Sequence, residues 1–188
     1  MDSINFTANH VKNVTIAKKC FNKYQPCRVS LVELDPANKQ DIKVISDTAD
    51  KWDISFTCFT IEDMLAARSN SEALEKLKVY ALTKQKSGFD KMKYSDVLGV
   101  IQVKKGYEDG NKIEVLQTNP KYIKDQKNKF PAFRHIGKKL TKFVQKEYGE
   151  NPLYVHPARF AVPFYEKLGF RSCEKPHLRN AWWINPKS

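Results

Sequence analysis

No stretch of this 188-residue chain approaches the roughly 20 consecutive apolar residues of a membrane helix, so a spanning protein is not expected. Glycine is scarce, with seven residues beside nine prolines, which excludes collagen-like and linker-like architectures. The four cysteines, Cys20, Cys27, Cys58 and Cys173, form no C-x-x-C pair. The histidines His10, His135, His156 and His177 stand at no metal-ligand spacing from them, so neither a metal site nor a disulfide framework is expected. Residues 1–20 lack the apolar run of a secretory signal, and the expectation is a cytoplasmic protein with no membrane association. Acids are few: 21 Asp and Glu against 33 Lys and Arg give a net charge of +12. Such a surplus suits anionic partners, and it equally suits a Lys-rich soluble surface. Arginine, the better residue for forked phosphate recognition, supplies only six of the 33, so a dedicated nucleic-acid partner is not the favoured reading.

What is present is an ordinary globular balance, 41 % hydrophobic and 29 % charged, with no internal repeat. Residues 1–26 read as an N-terminal extension with a short helix over 11–21, and residues 27–188 as one domain. Arg28–Leu34 has the β-rich composition of a strand, closed by Asp35-Pro36. Ile42, Ile45, Ala49 and Trp52 recur at three- and four-residue spacing, one face of a helix. An edge strand is expected over 53–59, and Thr60-x-x-Asp63 reads as the cap of a helix through Ala67. A further helical stretch covers Ser71–Leu77. Val79–Thr83, Val97–Val103 and Lys112–Thr118 are strand candidates joined by polar turns, an antiparallel meander. Ile136, Leu140, Phe143, Val144 and Tyr148 then mark an amphipathic helix ended by Gly149. A strand over Leu153–His156, a short helix over Arg159–Leu168 and a last strand or hairpin over Arg171–Ile184 complete an α+β (mixed α/β) pattern.

Two segments carry chemistry. One contains Ile113-Glu114-Val115-Leu116, then Pro120-x-Tyr122 and Ile136-Gly137-x-x-Leu140. The other reads Ala161-x-x-Phe164-Tyr165-Glu166-Lys167-Leu168-Gly169-Phe170. Their order and spacing resemble the GNAT superfamily of N-acyltransferases over residues 78–172, with 1–75 fitting only loosely. The resemblance implies the GNAT fold, a mostly antiparallel central sheet with two splayed parallel strands, flanked by helices. It also implies an acyl-CoA donor, most simply acetyl-CoA, and an amine acceptor that attacks directly in a ternary complex.

By the same resemblance the coenzyme pyrophosphate would lie on the backbone from Arg134 through His135, Ile136, Gly137 and Lys138 to Lys139. A helix start offers unpaired N–H groups and a positive dipole end there. Nine basic residues and one acid between Lys121 and Lys146 suit that load. Aligning Ile136-Gly137 with the family pattern puts His135 at a glycine position. The frame Arg134-x-x-Gly137-x-Lys139 is the alternative. An insertion covers about residues 123–131. Leu116, Gln117 and Thr118 would bind the pantetheine arm, with Leu153–His156 as the splayed partner strand. Tyr165 is the expected acid for the departing thiolate. Glu114 is the expected base for the amine, and a Lys-paired acid on the sheet explains it equally well. Alternation would put Glu114 on the face of Leu116 and Thr118, opposite Ile113 and Val115. His156 reads as a structural histidine before a proton relay.

The expected acceptor is a small-molecule or protein amine, with a homodimer allowed. Two other readings stand beside it: acetylation of an RNA-linked amine such as that of a charged tRNA, and a non-catalytic binding module on the same fold.

Overall fold

In the computed structural model, which describes residues 8–52, 55–123, 128–178 and 180–184, one nine-stranded sheet runs through the chain. Strands β1 (Asn9–Cys20) and β2 (Lys23–Leu34) form a long hairpin. Helices α1 (Lys39–Trp52), α2 (Ser55–Arg68) and α3 (Ser71–Lys76) follow, then the meander β3 (Leu77–Thr83), β4 (Val97–Tyr107) and β5 (Gly110–Thr118). After the two-residue β6 (Phe133–Arg134) come α4 (Ile136–Glu147), β7 (Leu153–Val155) and α5 (Val162–Glu166), then β8 (Arg171–Ser172) and β9 (Trp182–Ile184). The sheet order is β6-β1-β2-β3-β4-β5-β7-β9-β8, antiparallel throughout except for the β5–β7 pair.

The two faces are covered by different helices. Leu31, Leu82, Ile101 and Val103 pack against Ile136, Leu140, Phe143 and Val144 of α4. Val32, Val79, Val97 and Val100 pack on the other face against Val44, Ile45 and Trp52 of α1 and Met64 of α2. β4 is therefore apolar on both faces. The periodic stripe of α4 explains why that helix is the most legible element of the sequence. Its C-terminal end is fixed by Tyr148, whose hydroxyl lies 2.7 Å from that of Tyr80 on β3.

Three local expectations are corrected. Residues 9–20 form a strand where a helix was expected over 11–21. Val11, Val14, Thr15 and Ile16 are β-branched, and the segment finds a complete antiparallel partner in β2. Of the strand expected over 53–59, residues 53 and 54 lie outside the described residues, and 55–59 open α2. Thr60 consequently sits in mid-helix and caps nothing. Burial of Met64 and Ala67 under the sheet decides the conformation over the β-propensity of the preceding residues.

One buried charge has a measurable consequence. Asn38 caps α1 by accepting from the N–H groups of Gln40 and Asp41. Asp41 itself is fully buried and accepts from the Asp35 N–H at 2.9 Å, with the Ala8 backbone also favouring its charged form, less than burial disfavours it. Burial raises its pKa from 3.8 to about 6. The unfolded chain therefore ionises at lower pH than the folded one. Stability from this group is full below pH 4 and falls as pH rises to about 6, by about 3 kcal/mol at 1.36 kcal/mol per unit. Asp41→Asn is expected to gain about 2 kcal/mol over wild type at pH 8 and little at pH 4, checked by urea unfolding at both. An equal difference at the two pH values contradicts this assignment.

Candidate active site

The parallel pair β5–β7 is short. Its register runs Asn111↔Leu153, Lys112↔Tyr154 and Ile113↔Val155, and ends there. From Glu114 to Thr118 the edge of β5 facing β7 carries no strand partner among the described residues. The cause is visible on the opposite side of β5. Pairing with β4 steps from Gln102↔Val115 to Val103↔Ile113, leaving Glu114 as an extra residue, a β-bulge. A bulge bends its strand and re-aims its side chains. Ile113 and Leu116 thus pack into the same core cluster, which strict alternation forbids. The expectation that Glu114 shares a face with Leu116, opposite Ile113, is corrected by this one residue.

At the open end of β5 three elements meet. A Cβ built on Gly137 would stand 3.5 Å from Thr118 Oγ1 and 3.5 Å from the ring of Phe164. The first turn of α4, the end of β5 and α5 are therefore in mutual contact. Below them Gly99 admits the helix to the sheet: a Cβ there would come within 2.6 Å of Ile136 Cγ2. The first hydrogen bond of α4 runs from the Lys139 N–H to the His135 carbonyl at 2.9 Å. The N–H groups of Ile136, Gly137 and Lys138 precede it and have no acceptor among the described residues. Unpaired N–H groups and the positive end of the helix dipole coincide there, an arrangement that favours an anion.

His135 enters this helix at φ +70°, with no side-chain capping bond. The position thus keeps the left-handed backbone for which glycine is the usual residue, and histidine bears it at a cost of about 1–3 kcal/mol. The imidazole is exposed, whereas the Ile136 side chain is buried, so Ile136 offers only its backbone. Lys138 is exposed and Lys139 half-buried.

The β1–β2 hairpin holds the strained turn in place. Arg134 and Phe133 pair with Ala17 and Lys18 of β1, and the Lys19 N–H donates to the Ala132 carbonyl at 2.8 Å. The Tyr24 hydroxyl donates to the Pro131 carbonyl at 2.8 Å, and the Arg134 guanidinium lies 4.0 Å from the centre of the Tyr24 ring. Sequence reasoning missed Tyr24, because it is 107 residues from its partner and belongs to no motif.

Tyr165 lies in α5, 5 % exposed, with Phe164 and Phe170 edge-on at 5.0 and 5.3 Å. Burial holds its phenol well above the ordinary range, so it is neutral at every physiological pH. Its hydroxyl makes no hydrogen bond among the described residues and is not wholly buried, so the oxygen reaches solvent while the ring does not. Glu114 is half-buried and paired with Lys112 at 2.9 Å, not with Tyr165. The same ammonium, after burial, pushes the His156 pKa down, and Glu114 partly offsets it. His156 stands at the end of β7 with Tyr107 edge-on at 6.3 Å, so Lys112, Glu114, His156 and Tyr107 share the mouth of the splay. Leu116, Gln117 and Thr118 are half-buried along the open edge, with Gln117 Nε2 bonded to the Thr118 carbonyl.

Comparison with known proteins identifies the fold that carries this arrangement. Residues 99–186 match the family model described as an acetyltransferase (GNAT) domain. A putative GNAT-family acetyltransferase from Desulfovibrio desulfuricans superposes with a TM-score of 0.55 at 13 % identity, over 83 % of this chain and 99 % of the other. The chain has the GNAT fold. The N-acetyltransferase YlbP of Bacillus subtilis, solved with coenzyme A, is similar at a TM-score of 0.49 and 13 % identity, covering 77 % of this chain and 91 % of that one. No curated protein sequence matches the chain. In this GNAT fold the matched segment begins in β4 and contains β5, α4, the splay and the C-terminal hairpin. The turn-holding strands β1 and β2 lie outside it. No helix among the described residues is long and apolar enough to cross a membrane.

Proposed function

We propose that this GNAT domain transfers an acetyl group from acetyl-CoA to an amine by direct attack in a ternary complex. The observation that carries the reading is the junction at Gly137. There an unsatisfied helix start and the open edge of β5 meet Phe164, whose ring packs edge-on against that of Tyr165. The donor supplies a thioester carbonyl and, with it, phosphates that need anion recognition. The N–H groups of Ile136, Gly137 and Lys138, flanked by Arg134, His135 and Lys139, would hold the pyrophosphate. The free edge of β5 at Leu116, Gln117 and Thr118 would pair with the amide-bearing arm. An N–H of that edge would stabilise charge developing on the acyl oxygen. Glu114 takes the proton from an ammonium whose ordinary pKa is about 10.4. Tyr165, kept neutral by burial, offers the proton that the leaving sulfur needs.

The test is thiol release from acetyl-CoA by the purified protein with a panel of polyamines, lysine peptides and small amines. Amine-dependent release supports the reading, and its absence with every amine opposes it. Within an active pair, Glu114→Gln is expected to lower kcat by about 10²-fold with KM for acetyl-CoA unchanged. An unchanged kcat reduces Glu114 to the partner of Lys112. Tyr24→Phe, which loses the bond to Pro131, is expected to raise KM for acetyl-CoA about fivefold with kcat intact. A fall in kcat alone contradicts its assignment to the turn.

A further inference from the structure

The net charge of the chain is not spread over its surface. Residues 8–32 and 128–146 contain eleven of the 33 Lys and Arg and no Asp or Glu, while elsewhere 22 basic residues face 21 acids. The fold brings these two segments together. β6 pairs with β1, and the Lys12 ammonium sits 4.4 Å from the centre of the Phe143 ring of α4. None of the eleven is in an ion pair among the described residues. Aromatic rings are interleaved with the charges: Lys18 over Phe133, Lys19 over Phe130 and Arg134 over Tyr24. Phe130 is 63 % exposed, and Phe21, at the hairpin turn, is 98 % exposed with φ +53°.

The hairpin also has an open face. Val14, Ile16 and Val29 point to the α4 cluster. The cross-strand pairs Thr15–Arg28, Ala17–Pro26 and Lys19–Tyr24 lie on the other side, where Thr15, Pro26 and Arg28 are exposed. In the proposed function a coenzyme would place its phosphates at the first turn of α4 only. Lys142 and Lys146 lie farther along a helix about 18 Å long, and the 12-residue strands of the hairpin extend about 40 Å. One small ligand does not span that field.

We infer that the β1–β2 hairpin and the adjoining flank of α4 form a docking surface for single-stranded RNA. Lysines neutralise successive phosphates, and Phe21 and Phe130 give bases flat faces to stack on. Isolated rings among cations and hydroxyls suit a polyanion of nucleotides better than a bilayer, which requires a contiguous apolar patch. Arg134, Lys138 and Lys139 also belong to the proposed pyrophosphate turn, and the other eight basic residues lie outside it.

The test is fluorescence anisotropy with a labelled 15-nucleotide RNA of mixed sequence, titrated in KCl from 50 to 300 mM. Saturable binding is expected, with a log–log salt slope of about −3, as four or five phosphate contacts give. Phe21→Ala is expected to weaken it about fivefold or more. Lys23→Glu/Arg28→Glu, both exposed on the hairpin, is expected to weaken it at least about tenfold, with the melting temperature and acetyl-CoA binding unchanged in both. Lys142→Glu, exposed on α4, is the independent check should the hairpin variants fold poorly. Three results overturn the inference: no saturable binding at 50 mM KCl, loss of binding under saturating acetyl-CoA, or RNA affinity indifferent to all three variants. Phe21-dependent binding to phosphatidylglycerol vesicles tighter than to RNA overturns it in favour of a membrane.

Discussion

Tyr165→Phe is expected to lower kcat by about 10²-fold while leaving KM for acetyl-CoA and the melting temperature close to wild type. The substitution removes one oxygen that has no hydrogen-bond partner among the described residues, so folding loses no contact. The ring keeps its edge-on packing with Phe164 and Phe170. Only a step that needs a proton from that oxygen can report its absence. Because burial holds the phenol neutral, the wild-type rate should show no alkaline limb from Tyr165 below pH 10. A variant that keeps full kcat makes Tyr165 a packing residue and leaves the leaving sulfur to water.

The largest effect on stability is expected at Gly110. A Cβ there would stand 2.0 Å from the carbonyl oxygen of Pro152 and 2.8 Å from its carbon, which is backbone and cannot swing aside. That carbonyl accepts the Asn111 N–H at 2.8 Å, the contact that begins the β5–β7 pair. Gly110→Ala must drive the two strands apart, at about 4 kcal/mol or roughly a 10 °C fall in melting temperature for a chain of this size. Gly137→Ala is the control. Its nearest neighbours would lie at 3.5 Å, ordinary contact, so it should fold normally. If Gly110→Ala melts like wild type, the close approach of β7 to β5 is misplaced.

The sequence makes α4 legible because its buried residues repeat at the helical period and no other element competes for them. The short match Ala161–Phe170 is legible as a motif. The parallel, splayed pair of β5 and β7 was implied by the family resemblance and not by the residues themselves. The bulge at Glu114 was not legible. It exists only as a mismatch between two strands, and one strand read alone shows unbroken alternation. The strand Asn9–Cys20 was missed for a related reason. Its apolar face is just Val14 and Ile16 between lysines, too little for a pattern until β2 supplies the partner and α4 the cover. His135 was legible as a departure from the glycine pattern, and its positive φ shows that the backbone kept the geometry when the residue changed. The hold of Tyr24 on Pro131 joins distant parts of the chain and has no local signal.

Binding of an acyl-CoA at the start of α4 and the open edge of β5 is tested by calorimetric titration of the purified protein with acetyl-CoA, paired with thermal unfolding in its presence. One site per chain is expected and, at 100 times the Kd, stabilisation by about 2.7 kcal/mol, a rise on the order of 5–10 °C. Tyr165→Phe should bind as wild type does, and Tyr24→Phe more weakly. A folded protein that shows neither heat nor a shift at millimolar acetyl-CoA would contradict this assignment.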